Sequence, residues 1–360
     1  MQTKNKFVLY AVVAVALLLM PGICASLGLG NGPMRIIDLA LLYVMLALGL
    51  NIVVGYAGLL DLGYVAFYAL GAYMFGLLAS PQLSQNFEAF AAAFPNGVHM
   101  PLWLLIPAGA ALAALAGVLL GAPTLKLRGD YLAIVTLGFG EIIRVFMNNL
   151  DNVTNGPRGI GEIDGIHFWG YDLSKPLELM GFTVPPITQY YYLFLALVLA
   201  SILICYRLET SRIGRAWMAI REDEIAAKAM GINTRNMKLL AFGMGATFGG
   251  VAGSMFAAFQ GFVSPESFSL QESVMIVAMV VLGGIGHIPG VVLGALLLAA
   301  LPEVLRYVAG PLQEMSDGRL DAAILRQLLI ALAMIGVMLL RPRGLWPAPE
   351  HGKAAPKAAN

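Results

Sequence analysis

The sequence predicts an all-α, polytopic membrane helix bundle of about ten transmembrane helices, with N- and C-termini cytoplasmic. Three observations carry that expectation. Of 360 residues, 59% are hydrophobic, and the mean hydropathy is +0.79. Only 12% are charged, about half the share of a soluble domain. The apolar residues fall in runs of the roughly 20 residues that cross a bilayer. An ordinary cytosolic enzyme is excluded, and so is a disordered chain, which would be poor in apolar residues.

Ten runs qualify: Phe7–Leu27, Ile36–Val54, Leu59–Ala79, Leu102–Ala122, Tyr131–Asn148, Tyr190–Tyr206, Leu239–Phe259, Ser273–Leu282, Val291–Val308 and Ile324–Leu340. The eighth is short and ends in the Gly-rich turn Gly283–Gly290, so it reads as tilted, broken or re-entrant. Irregular backbone at that depth must be shielded by protein or water. Alternation from a cytoplasmic N-terminus places fifteen Lys and Arg in inner segments and four (Arg35, Arg158, Lys175 and Arg319) in outer loops. That is the bias expected of inner loops. Lys4 and Lys6 before the first run, with Ile23-Cys24-Ala25-Ser26 after it, also fit a signal peptide. The length of the run favours an uncleaved first span. Residues 1–346 thus read as a transmembrane domain, with a periplasmic loop at 149–189 and a cytoplasmic loop at 207–238. The Ala- and Pro-rich tail 347–360 reads as disordered. The outer loop is either a solvated connection or a docking rim.

Chemistry by this chain alone is not indicated. The net charge of +1 gives no basic field for nucleic acid. Cys24 and Cys205 sit in apolar runs and read as small hydrophobes. His99, His167, His287 and His351 lack metal-ligand spacing, and no phosphate-binding GxxxxGK[ST] loop occurs. No cofactor, metal or catalytic residue is expected, and if energy is used, another subunit supplies it.

The inner loop is the most informative stretch. Glu222 to Met230 holds good helix formers without Pro or Gly. Asp223 and Glu224 fall in its first turn, where the positive helix end favours acids. Glu224 and Lys228 are spaced i,i+4. Gly231 stands where a helix ends in a left-handed residue. A short helix at the inner face is expected. It either rests on headgroups or drops into a groove of another protein.

Ala226-Ala227-Lys228-Ala229-Met230-Gly231 resembles the coupling-loop motif of ABC importer permeases. The family's leading Glu falls on Ile225 here, with Glu224 one residue early. The runs from Gly58 to Tyr73, Leu127 to Arg144, Arg221 to Asn233, Gly261 to Phe268 and Arg341 to Leu345 are similar to the branched-chain amino-acid permease family, most closely its M-type members. The resemblance runs from about Gly55 to Leu345. It implies an importer of several parts: a periplasmic binding protein, this permease, a homologous H-type permease and two ATPase subunits, in a bacterial inner membrane. It implies ATPase coupling through Arg221, Glu222, Asp223, Glu224, Ala226, Ala227 and Gly231, the alanines small enough to seat in a groove.

A substrate path is sought among polar and aromatic residues in spans, because ionisable groups there are costly and functional by default. Asp61 is a path candidate or a helix N-cap. Glu141 and Arg144 share a helix face, as a path element or as a structural ion pair. Tyr64, Phe67, Tyr68 and also Tyr73 line a passage or pack helices. Asn51 and Thr136 meet substrate or bond between helices. Gly117 with Gly121, and Gly245 with Gly249, read as close helix contacts. Gly55-x-x-Gly58 and Gly283-x-x-Gly286 look alike, a hint of duplicated halves. Rival functions are a permease for urea or short amides, an ion-coupled secondary transporter, and an intramembrane enzyme. The enzyme would need a nucleophile or metal set that is not found.

Overall fold

The computed structural model describes residues 17–24, 26, 30–95, 97–124, 127, 129–168, 171–179, 182–315, 322–341 and 344–346. Most of the expected first span, and the whole tail 347–360, lie outside the described residues. The helices are α1 (Gly32–Asn51), α2 (Val65–Leu78), α3 (Leu102–Thr124), α4 (Asp130–Asn149), α5 (Pro186–Glu209), α6 (Arg212–Glu222), α7 (Glu224–Ala229), α8 (Thr234–Gln260), α9 (Leu270–Gly283), α10 (Ile288–Met315) and α11 (Ala322–Leu340). Among the described residues, six stretches are long and apolar enough to cross a membrane. They are Gly32–Tyr56, Leu102–Thr124, Pro186–Glu209, Thr234–Gln260, Pro265–Gly283 and Ile288–Leu305. The chain is an all-α, multi-pass membrane protein.

The third expected span is corrected. Its helix starts only at Val65. Before it, α1 runs on as a π-turn over Ile52–Tyr56, and 57–64 are irregular yet largely buried. Gly58 holds φ +67°, and the Asp61 carboxylate accepts the Gly63 N–H at 2.9 Å. These local bonds compete with helix. The discontinuity expected of the eighth span is therefore also present in the third, shielded by protein as such backbone must be.

Helix α8 is the hub of the bundle. Its small residues let neighbouring backbones come close. Gly245 packs on Gly49 and Val53, Gly249 on Phe67, and Gly250 on Gly109 and Ala113. Gly253 abuts the Tyr68 carbonyl, and Gly117 and Gly121 of α3 lie against Phe242. The packing reading of both glycine pairs holds. The outward faces of α3 and α5 expose Leu115, Leu119, Leu199 and Leu203, surface for lipid or another protein to cover.

The loops sort to two ends. At one, Arg221 reaches Gly55, Gly286 bonds Asn51, and Leu345 N–H and Trp346 N–H bond the carbonyls of Leu282 and Gly283. At the other, Asp164 N–H bonds the Ala79 carbonyl and Ile160 pairs with Val263. The segment expected as a plain outer loop carries two small antiparallel ribbons, His167–Phe168 with Tyr171–Asp172 and Leu177–Leu179 with Phe182–Val184. Ile160, Ile163 and Ile166 tuck beneath it.

At Gly253 a Cβ would overlap the Tyr68 carbonyl oxygen, whereas at Gly243 it would meet only the tip of Val118. Overpacking costs about 1–3 kcal/mol. Gly253→Leu is expected to lower the melting temperature in detergent or abolish the monodisperse peak on size-exclusion chromatography. Gly243→Ala is expected to leave both unchanged.

Candidate functional site

The inner loop is built in two pieces where one helix is expected. Helix α6 starts at Ser211, whose hydroxyl accepts the Gly214 N–H at 3.1 Å. It ends at Asp223, which is extended at φ −154° and ψ 110°. The Asp223 carboxylate accepts the N–H groups of Ile225 and Ala226 at 2.8 and 3.1 Å. An aspartate at that place caps a new helix more favourably than it continues the old one. Asp223 is thus the cap of α7, outside its first turn. Glu224 lies 2.8 Å from the Lys238 ammonium of α8. The Lys238 side chain is only 6% exposed, and a lysine so buried needs such a partner. Helix α7 closes as expected. Gly231 stands at φ +85°. Its N–H bonds the Lys228 carbonyl, and Ile232 N–H bonds the Ala227 carbonyl. That double bond is the usual ending with a left-handed glycine.

The two expected groove alanines part company. Ala227 is buried against the chain's own body, while Ala226, Ile225 and Met230 are exposed, the last two at 70% and 82%. Exposed apolar groups on a helix of six residues make a small knob. The knob is held stiffly. Trp217, fully buried, donates its indole N–H to the Met237 carbonyl at 2.7 Å.

Arg221 does more than sit on the surface. Its guanidinium donates to the Gly55 carbonyl at 2.5 Å, in the π-turn that ends α1. Its aliphatic stem lies against Gly58. The turn after α9 meets the same spot: Gly286 N–H donates to the Asn51 side-chain oxygen at 2.8 Å, and Gly286 lies beside both Arg221 and Gly55. The two look-alike glycine turns are therefore neighbours, with Arg221 fastening the inner loop to the first. Asn51 is fully buried there and ties the two turns through its side-chain oxygen.

The remaining path candidates divide. Tyr64 donates to the Gly245 carbonyl at 2.9 Å. Tyr68 packs on Phe256 and Phe268, and Tyr73 on Phe268. These rings are helix packing. Asp61, Thr136 and Phe67 line a small void with Gly63, Leu120, Phe139 and Phe242. Thr136 accepts the Leu62 N–H at 3.0 Å. Asp61 is 1% exposed, and one of its carboxylate oxygens has no hydrogen-bond partner among the described residues. On the other side of Leu62 lies a cavity of about 130 Å³, lined by Leu62, Val65, Leu137, Gly140, Glu141, Phe268 and Leu270. Arg144 chelates Glu141, with Nε at 3.1 and 3.2 Å, and lies 3.6 Å from Glu266. Glu141 is eleven residues into α4. At 1.5 Å per residue that is about 16 Å along the helix, near its middle.

Sequence reasoning missed three groups. Trp217 was read over, although an isolated Trp on the apolar side of an amphipathic loop helix is an anchor. Asp38 in α1 is fully buried, with neither oxygen hydrogen-bonded among the described residues. Glu272 accepts from Tyr43 at 2.9 Å. Both acids lie inside spans, so the criterion that flagged Asp61 would have found them.

A family model described as branched-chain amino acid transport system, permease component, matches residues 32–338. The chain is 40% identical over 329 residues to the high-affinity branched-chain amino acid transport system permease protein LivM of Escherichia coli K12, covering 88% of this chain and 70% of that one. It is 38% identical over 356 residues to LivM of Salmonella typhimurium, covering 96% and 75%. It is 26% identical over 320 residues to the permease protein LivH of Escherichia coli K12, covering 86% and 93%. No solved structure matches it.

The opposite burial of adjacent alanines is testable by digestion. Burying an unpaired carboxylate costs several kcal/mol, and an exposed one almost nothing. Ala227→Glu is expected to make the 207–238 loop sensitive to trypsin in membranes, and Ala226→Glu to leave the digestion pattern unchanged.

Proposed function

The chain belongs to the permease-component family of branched-chain amino acid transport systems, and from that premise we propose that it is one permease of an ATP-driven ABC importer. It takes branched-chain amino acids from a periplasmic binding protein and passes them to the cytoplasm across a bacterial inner membrane. As a member of that family it is a transport subunit and not an enzyme. Ten spans with both termini cytoplasmic fit the sorting of loops to two ends: 55–58, 212–238, 283–290 and 344–346 gather at one end, as alternation requires.

The observation that carries the reading is the stiff inner loop. Its exposed knob of Ile225, Ala226 and Met230 is braced at Trp217, Lys238 and Arg221. Such a knob suits a groove on an ATPase subunit. Glu222, Asp223, Glu224, Ala227 and Gly231 shape it: Asp223 and Gly231 cap α7, Glu224 ties it to α8, Ala227 seats it, and Glu222 is exposed beside the cap. Two such loops, one here and one on a homologous H-type permease, would be drawn together when nucleotide closes two ATPase subunits. The free energy for switching comes from the difference in nucleotide binding between the two states. Substrate passes Asp61, Thr136, Phe67 and Glu141, the path candidates that line cavities.

Labelled leucine uptake into proteoliposomes tests this. They would hold the chain, the second permease, the ATPases and the binding protein. Uptake is expected only with internal ATP and the binding protein together. Ala226→Glu is expected to abolish it with normal membrane insertion. Uptake by this chain alone on an ion gradient would mean a secondary transporter instead. Transport of urea but not leucine would overturn the substrate and keep the architecture.

A further inference from the structure

We propose that Glu141, Arg144 and the start of α9 form a subsite that reads the zwitterion of the transported amino acid, with the adjoining cavity holding its apolar side chain. This deepens the importer reading and rests on it. The first observation is an opening lined by Glu141, Arg144, Ser269, Leu270, Gln271 and Val274. It shares Glu141 and Leu270 with the cavity of about 130 Å³ behind it. An apolar void of roughly 150 Å³ admits a molecule the size of benzene, so a branched four-carbon side chain fits the scale. Leu62, Val65, Leu137 and Phe268 give it an apolar wall.

The second observation is the placement of charge. Glu141 stands near the middle of α4 and Arg144 one turn nearer its end, with side chains 45% and 26% exposed on this chain. Charged groups on a membrane helix face water or protein rather than lipid, and Arg144 here faces Glu266 at 3.6 Å as well as Glu141. The third is α9 itself, a helix of 14 residues whose first turn borders the opening. The N–H groups of Leu270 and Gln271 at its start have no acceptor within the helix, while Glu272 of the same turn is held away by Tyr43 at 2.9 Å. A zwitterion is complemented point by point. The ammonium meets Glu141, the carboxylate meets Arg144 and the start of α9, and the side chain enters the cavity. The two charged residues neutralise each other through a bidentate contact. Substrate exchanges that contact for two others of the same kind.

The test is leucine uptake by the full reconstituted transporter. Glu141→Gln and Arg144→Gln are each expected to lower uptake at least about tenfold, the scale of one lost charge-assisted hydrogen bond. The swapped variant, Glu141→Arg with Arg144→Glu, restores an ion pair but reverses its polarity against α9. Its uptake is expected to stay low. Wild-type uptake by the swapped variant would identify a structural ion pair and overturn the proposal, as would undiminished uptake by the single variants. Leu137→Trp fills the cavity without touching the charges and is expected to lose leucine uptake while binding-protein-stimulated ATP hydrolysis persists. Unchanged uptake by that variant would also overturn the subsite. A wild-type transporter silent for leucine would instead overturn the importer reading beneath it.

Discussion

The bond from the Arg221 guanidinium to the Gly55 carbonyl joins the inner loop to the membrane core. The π-turn over Ile52–Tyr56 and the irregular 57–64 segment interrupt a helix ladder in a buried place. Interrupted ladders leave carbonyls without partners, and each orphan buried there costs about 1–3 kcal/mol. A charged donor from the inner loop removes that penalty at Gly55. Shifting the loop away from the core would therefore leave the buried Gly55 carbonyl without this donor. Sites of π-turns are often functional for this reason: the ladder is already open.

Around that bond the chain gathers a second interruption. The turn after α9 presents Gly286 to Asn51 and lies beside Arg221, and the Leu345 and Trp346 backbone closes the end of α9. Three segments far apart in sequence thus converge beneath the docking knob of α7. Helices α2 and α9 also supply walls of the cavity beside Glu141, and α2 a wall of the void beside Asp61. A stiff lever suits this geometry, and the indole bond of Trp217 and the Glu224–Lys238 pair supply the stiffness.

Much of this was legible in the sequence where the signal was local. Apolar runs marked the spans from Leu102, Tyr190 and Leu239, because hydropathy acts on each segment separately. Gly231 was legible as a helix ending, since that role needs only a left-handed residue after a helical run. What escaped was set by competition or by distance. Asp223 sits among good helix formers, yet its side chain bonds the next two N–H groups and starts a new helix. Ala226 and Ala227 are alike in sequence and opposite in burial, which only the neighbouring α8 decides. The Arg221–Gly55 bond spans 166 residues, beyond any periodicity. The likeness of the two glycine turns was visible, but not that they touch.

The most direct test is to count leucine molecules imported per ATP hydrolysed by the reconstituted transporter carrying Arg221→Ala. The account predicts that the subunits still copurify and ATP hydrolysis continues, while leucine imported per ATP falls at least about tenfold, the scale of a lost charged hydrogen bond. An unchanged ratio at wild-type hydrolysis would contradict it, and would mean that the loop drives the membrane helices without this bond.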